Sequence, residues 1–110
     1  MKNKKNARAG EFWSVNNSRT RGHKSLITKR RKSGVIEHIP ITHTRKARHY
    51  RANIQLLQNP QEDDIRPAYI LSRVQYGKIR ELGKYHPSMC IKNKTDKSII
   101  RKVKSRNKKR

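Results

Sequence analysis

Two histidines, His23 and His43, are the side chains of this chain that are best suited to proton transfer. An imidazole gains and loses a proton near neutral pH, so one ring can act as a base while another acts as an acid. Cleavage of RNA by its own 2′-hydroxyl needs both, together with cations around the phosphorane. His23 opens one predicted strand and His43 closes the next. In adjacent strands the two rings would meet at one end of the sheet.

The sequence leaves a second interpretation of these residues open. All five histidines of such a basic chain can lie at the surface, where a ring contacts solvent or phosphate and transfers no proton. Phe12, Trp13 and Tyr69 can likewise stack on bases or fill the core of a thin domain. Tyr50, which has a histidine and an arginine as neighbours, is the better candidate for stacking.

Charge is the dominant feature of the composition, since 30 lysines and arginines against seven acidic residues give a net charge of +23. Such a charge repels itself and is balanced most simply by a polyanion whose counterions are released on contact. Nucleic acid is therefore the expected partner, and a merely solvated basic face is the alternative. The 2′-hydroxyl chemistry considered above is what favours RNA over DNA. The predicted contact residues are Arg21, Lys24, Lys29, Arg30, Arg31, Lys32, Arg45, Lys46, Arg48, Tyr50, Arg51 and Arg73.

Membranes, metals and cofactors have little support in the sequence. No segment approaches the roughly 20 apolar residues of a spanning helix, and no apolar run follows the basic N-terminus, so we expect a cytoplasmic protein. The single cysteine, Cys90, excludes an internal disulfide and is predicted to lie in the core beside Met89 and Ile91. No zinc spacing, calcium loop or nucleotide-binding loop occurs, so we expect no metal and no cofactor.

The elements that would position His23 and His43 are strands. Residues 11–15 and 25–29 have the β-prone composition of a first and a second strand, and a short cationic turn joins the second to a third. From residue 35 to residue 43 the side chains alternate between two faces with a period of two. Pro40 within this run predicts an edge strand or a bulge.

The remaining chain adds two further strands, at residues 53–57 and 68–71, with an acidic, proline-bracketed loop between them. A helical turn is predicted at residues 78–82 and a loop after it, and Thr95 or Asp96 can cap a last helix.

The domain plan follows from these elements. We expect one domain, residues 10–104, with about five strands and a terminal helix. A disordered basic arm, residues 1–9, precedes it, because this segment has nothing to bury. A basic tail, residues 105–110, follows it.

Three strands carry a resemblance to a known family. The runs GEFWSV, GHKSLIT and VIEHIPITH resemble the first three strands of the PemK/MazF-like toxins, and the Pro-Ile-Thr that ends the third is the most specific match. The runs NIQLLQNP and RPAYILSRVQYGKIRELGKY continue the similarity, which covers most of residues 9–103. The resemblance implies a small SH3-like barrel, mainly β with a C-terminal helix. It also implies an endoribonuclease that cuts single-stranded RNA without a metal.

The resemblance extends to site residues, although not to all of them. Thr42 stands where the family has a threonine implicated in its catalytic site, although a hydroxyl at a strand end can equally bond to the backbone. His23 and Lys24 stand where the family usually has an arginine. Ser72 and Gln75 replace an acid and an arginine that family members tend to carry. The candidate catalytic residues are therefore His23, Thr42 and His43.

Two functions are consistent with the sequence. The first is a toxin-type endoribonuclease, which would form a homodimer and be restrained by an acidic antitoxin covering its cations. The second is a non-catalytic nucleic-acid-binding protein, associated with a mobile element or a ribosome, that retains the barrel. Ser72, Gln75 and the extreme charge favour the second function.

Overall fold

A computed structural model describes residues 2–18, 20–43 and 53–108 and shows a sheet of short strands followed by a helix. The predicted fold class, mainly β with a C-terminal helix, is confirmed. No helix in these ranges is long and apolar enough to cross a bilayer. The elements are β1 (Phe12–Val15), β2 (Lys24–Arg30), β3 (Val35–Thr42), β4 (Ile54–Gln55), β5 (Tyr69–Ile70), β6 (Gln75–Lys78), β7 (Leu82–Tyr85) and α1 (Lys94–Lys108), with short 3₁₀ helices at Lys4–Asn6 and Ile79–Glu81.

The sheet is antiparallel and open. Its strands follow the order β4-β5-β3-β2-β1-β7, and β6 pairs with β3 as well. Among the described residues the end strands β4 and β7 do not pair with each other, so the sheet does not close on itself. β7 forms where the sequence predicted the end of a helical turn and a loop. It is a strand because it pairs with β1, which is distant in the chain.

β3 lies inside the sheet and uses both of its edges. One edge pairs with β2, whereas the other pairs with β6 over residues 35–38 and with β5 at Ile41 and Thr42. Pro40 lies at the change of partner, where its carbonyl accepts a hydrogen bond from the Leu71 N–H at 3.3 Å. Proline has no backbone N–H to donate, and it is tolerated at this point because neither β6 nor β5 needs a hydrogen bond from that position. β3 is therefore not an edge strand, and the irregularity in its pairing with β2 lies between Ile27 and Lys29, away from Pro40.

Both faces of the sheet are covered by apolar side chains. On one face Phe12, Leu26 and Ile39 lie in register across β1, β2 and β3, and Ile100 and Val103 of α1 belong to the same cluster. Burial on both faces gives a thin sheet two layers of packing, which a chain of this composition needs for stability. The second cluster, on the opposite face, consists of Ala7, Trp13, Val15, Ile27, Ile36 and Leu82.

The N-terminal segment packs on the second cluster instead of extending as a disordered arm. Ala7 is 1% exposed and fills a position in that cluster. Asn3 caps the first 3₁₀ helix by accepting a hydrogen bond from the Lys5 N–H at 2.9 Å. The guanidinium of Arg30 donates to the carbonyls of Lys5 and Ala7. One buried methyl group and a cation from β2 thus hold a segment whose composition predicted disorder.

Cys90 is exposed, so its predicted place in the core is wrong. The apolar position belongs to Met89, which is 5% exposed and packs in the first cluster. Met89 forms a bridge with Gln61, and neighbouring side chains on an extended segment point to opposite sides. Cys90 therefore faces away from the core.

Helix α1 begins at a buried carboxylate. Asp96 is 1% exposed, and its oxygens accept hydrogen bonds from the N–H groups of Leu57 at 2.8 Å and Gln58 at 3.1 Å. Asn93, and not either predicted residue, caps the helix, because its Oδ1 accepts from the Asp96 N–H at 2.7 Å. Asp96 thus fastens the start of α1 to the chain that follows β4.

Replacing Asp96 with alanine should lower the free energy of unfolding by about 3 kcal/mol, because two backbone N–H groups would lose a charged acceptor in a buried place. The matched control is Asp63→Ala, which removes an exposed carboxylate and should change stability by less than about 0.5 kcal/mol. Urea unfolding followed by circular dichroism measures both variants. Equal losses in the two would show that Asp96 does not anchor the helix.

His38 is buried within the sheet and has no hydrogen-bond partner among the described residues. The residue is 0% exposed, and neither ring nitrogen is bonded. It pairs with Gln75 of β6, and a Cβ on Gly77 would lie 3.5 Å from its Nε2. Burial lowers the pKa of His38 to about 4, although the nearby Glu81 acts in the opposite direction. The ring is therefore neutral in the folded protein at pH 7.

This burial should make the stability of the fold depend on pH. The ordinary histidine pKa is 6.5 and that of folded His38 is about 4, so between these values the unfolded chain binds more protons and stability falls as pH falls. Between pH 7.5 and pH 5, the wild type should lose about 2 kcal/mol more than His38→Leu. His23→Leu, which removes an exposed histidine, should keep the wild-type slope. Denaturant unfolding across this range tests the coupling, and parallel slopes for wild type and His38→Leu would refute it.

Candidate functional site

A cleft of about 510 Å³ lies between the ends of β2 and β3 and the acidic loop. His23 and Lys24 line it from the start of β2, Thr42 and His43 from the end of β3, and Asp64 from the loop. The three residues assigned from the sequence as candidate catalytic residues thus line one cleft. Asp64 was not among them.

The pairing of β2 with β3 explains why these residues meet. Ser25 pairs with Pro40 at the last step of the ladder. Continuing the antiparallel register by two residues brings His23 opposite Thr42, next to His43. Two side chains that are 19 positions apart in the sequence are therefore cross-strand neighbours by virtue of the hairpin alone.

His23 is exposed on a firmly held backbone. Its N–H donates to the Thr20 carbonyl at 3.0 Å, and its own carbonyl accepts from the Val15 N–H at 3.1 Å. Before it, Arg21 and Gly22 have φ values of 52° and 79°, and two left-handed residues in succession turn the chain sharply into β2. The ring at this corner is exposed to solvent.

His43 is oriented by contacts at both of its ring nitrogens. Nδ1 lies 3.1 Å from the Pro67 carbonyl oxygen, which can only accept, so Nδ1 carries the proton of this hydrogen bond. Nε2 lies 3.8 Å from Oδ2 of Asp64. The ring is thus fixed at one end by the backbone and faces a negative charge at the other.

Asp64 is kept ionised by its neighbour Arg66. The guanidinium donates from Nε to Oδ1 at 2.9 Å and from Nη2 to Oδ2 at 2.6 Å, and the Arg66 N–H donates to Oδ1 at 3.0 Å. These hydrogen bonds hold the pKa of Asp64 well below its usual range. The carboxylate opposite His43 therefore keeps its charge over the whole range in which a histidine titrates.

A serine–histidine pair lies beside a cleft residue, and no local sequence pattern predicted it. Oγ of Ser14 lies 2.8 Å from the ring Nε2 of His86, and the backbone N–H of His86 donates to the Phe12 carbonyl at 2.9 Å. Ser14 pairs in register with Lys24, which lines the cleft. Burial lowers the pKa of His86, and the charges of Lys24 and Lys84 lower it further. Burial and the charges of the two lysines thus favour the neutral form of His86.

The cleft combines the groups needed for acid–base chemistry on a phosphodiester. It holds two imidazoles, one hydroxyl and one ammonium group, and a permanently ionised carboxylate supports one of the imidazoles. These groups can accept a proton, donate a proton and balance the charge of a phosphorane. In the described part of the chain no three His, Cys, Asp or Glu side chains converge as a metal site would require.

The predicted nucleic-acid contacts that the structure describes lie in several places on the fold. Lys24 lines the cleft and Arg21 lies at the turn beside it, whereas the cations of the β2–β3 turn lie at the far end of β2. Six strand steps separate the two ends of β2, which corresponds to about 20 Å. Arg73 is exposed in the segment between β5 and β6. Arg45, Lys46, Arg48, Tyr50 and Arg51 lie outside the described residues.

The turn cations also differ among themselves. Arg30 is bonded to the carbonyls of the N-terminal segment and so has a structural partner. Lys29, Arg31 and Lys32 are exposed. The predicted basic loop therefore contains one cation that holds the fold and three that are available at the surface.

Removing the charge of Lys84 should raise the pKa of His86, because that charge disfavours the imidazolium form. Lys84→Met keeps most of the side-chain volume, and Lys92→Met removes an exposed charge for which no interaction with His86 is found. NMR titration of the histidine ring protons measures the change. An upward shift in the first variant alone supports the arrangement, and an unchanged His86 in Lys84→Met contradicts it.

Comparison of this chain with protein-family models, with curated proteins and with solved structures gave no match. The resemblance to the PemK/MazF-like toxins therefore rests on the residues themselves.

Proposed function

We propose that this protein binds single-stranded RNA and cuts it at the cleft without a metal, as a divergent member of the PemK/MazF-like toxins. The observation that carries the proposal is that His23, Thr42 and His43, chosen from the sequence for their chemistry and their match to the family, line one cleft. The net charge of +23 supports a polyanionic substrate. An SH3-like fold and a cytoplasmic location belong to the same proposal, and the β1–β2–β3 order supports the former.

The environments of the two cleft histidines suggest their roles. The Pro67 carbonyl fixes the Nδ1 proton of His43, and its Nε2 faces the ionised carboxylate of Asp64, so we assign His43 as the acid. His23 is exposed and has no carboxylate partner among the described residues, so we assign His23 as the base. Lys24 and the hydroxyl of Thr42 are placed to contact the phosphate, at which negative charge develops.

The bond changes follow from these roles. His23 takes the proton of the 2′-hydroxyl, and the 2′-oxygen forms a bond to the adjacent phosphorus. The bond from phosphorus to the 5′-oxygen breaks, and that oxygen receives its proton from His43. The products are a 2′,3′-cyclic phosphate and a free 5′-hydroxyl, so protons and electron pairs balance with no further reactant.

A non-catalytic RNA-binding function, for a mobile element or a ribosome, is the second candidate. The observation that favours it is that Ser72 and Gln75 stand where the family tends to carry charged residues. Such a protein would keep the fold and use its cations to bind the RNA backbone. In either case an acidic partner protein, such as an antitoxin, would compete for the same cations, and a homodimer would extend the binding surface.

Each of His23→Ala and His43→Ala should lower the rate of RNA cleavage about 100-fold or more, because each removes a proton-transfer group. The assay uses a long single-stranded RNA in chelator, with mapping of the new ends and analysis for cyclic phosphate. Asp64→Asn should slow cleavage about tenfold by removing the charge that supports His43. Asp63→Asn, one residue away in the same loop, is the matched control and should cut at the wild-type rate.

The binding of RNA by the same variants separates the two functions. If the protein is an enzyme, the alanine variants bind RNA with nearly wild-type affinity and fail to cut it. RNA that stays intact with the wild type, while all variants bind it with the same steep salt dependence, rejects cleavage and leaves the binding function.

A further inference from the structure

We propose that the exposed ring of Tyr76, with the cations around it, is a second RNA-binding site that stacks a base of single-stranded RNA away from the cleft. We call this surface the Tyr76 platform and define it by Lys29, Arg31, Tyr76 and Lys78. The inference rests on the proposed function in its choice of RNA as the ligand, but it does not require cleavage. Tyr76 was not among the nucleic-acid contacts predicted from the sequence.

The register of three strands places the platform residues on one face. Glu37 of β3 pairs with Lys29 on one side and with Tyr76 on the other. Val35, two residues before Glu37 on the same strand, pairs with Lys78, and the Val35 carbonyl accepts a hydrogen bond from the backbone N–H of Arg31. Lys29 and Tyr76 thus flank Glu37, and Arg31 and Lys78 flank Val35. Because residues two apart on a strand share a face, all four platform side chains lie on the same face of the sheet.

The ring of Tyr76 is arranged for stacking. The residue is 51% exposed, whereas Tyr69 in β5 is 8% exposed. The Arg31 guanidinium lies 5.7 Å from the ring centroid, a contact of the cation–π type. A guanidinium plane and an aromatic ring side by side are the two surfaces on which unpaired bases stack.

The residue that pairs with Lys29 and Tyr76, Glu37, has its carboxylate engaged within the fold. Glu37 is 4% exposed, and one of its carboxylate oxygens accepts a hydrogen bond from the Thr28 hydroxyl at 2.8 Å. The Glu37 carboxylate is thus buried and hydrogen-bonded, whereas Lys29, Arg31 and Lys78 are all exposed. Cations alone would suit an acidic protein equally well. The half-exposed aromatic ring among them favours a ligand that has both phosphates and bases.

The platform and the cleft are held apart by the sheet. His23 and Thr42 lie at one end of the β2–β3 ladder, and Lys29 and Arg31 lie at the other, about 20 Å away. A base on the platform therefore cannot also occupy the cleft. The platform would hold a distant part of the strand that the cleft acts on.

A tryptophan at position 76 tests the proposal directly. Trp13 is the single tryptophan of the chain and is 1% exposed, so its emission is a constant background. In the Tyr76→Trp variant, oligouridylate RNA should quench the emission of the new tryptophan by stacking on it. Leu57→Trp, at a 69% exposed position beside the start of α1, is the control and should not be quenched. Inorganic polyphosphate and polyglutamate serve as ligands that carry charge but no bases.

Affinity measurements complete the test. Tyr76→Ala should weaken the binding of oligouridylate about tenfold, whereas Tyr76→Phe, which keeps the ring, should bind as the wild type does. The proposal is overturned if polyphosphate or polyglutamate quenches as strongly as RNA, if Leu57→Trp is quenched equally, or if Tyr76→Ala and Tyr76→Phe bind alike. Cleavage without quenching would reject the platform and leave the proposed enzyme. Quenching without cleavage would reject the enzyme and leave the platform.

Discussion

The pairing of β2 with β3 is the constraint on which the rest of the structure depends. Its side chains are buried on both faces, so this one hairpin supports both apolar clusters. Its open end carries His23 opposite Thr42, and its turn carries the exposed cations beside Tyr76. A one-residue slip would exchange the two faces of β2 and separate the cleft residues at the same time. The stability of the fold and the geometry of the cleft therefore have one origin.

The acidic residues show how so basic a chain holds together. Most of them are used inside the fold, where each carboxylate accepts specific hydrogen bonds, and few remain to neutralise the surface. Self-repulsion of the cations is then left for an external polyanion to relieve, which agrees with binding of nucleic acid as part of the proposed function. The five acids with such internal partners are Glu11, Glu37, Asp64, Glu81 and Asp96.

The sequence predicted those features that depend on local pattern. Alternating side chains placed β1, β2 and β3, and the hairpin that joins two of them was enough to bring His23 close to Thr42 and His43. Features made by contacts between distant segments were missed. The pair of Ser14 with His86 needs β7 to lie beside β1, and nothing local in residues 82–85 marks a strand. The orientation of His43 depends on a loop that follows it by more than 20 residues.

The three histidines in and beside the cleft, His23, His43 and His86, differ in the charged groups that surround them. His43 faces the carboxylate of Asp64, His86 experiences the charges of Lys24 and Lys84, and His23 is exposed. Burial and the two lysine charges disfavour the imidazolium form of His86. Lys24 pairs in register with Ser14 and also lines the cleft, so one β2 residue connects the Ser14–His86 pair with the cleft.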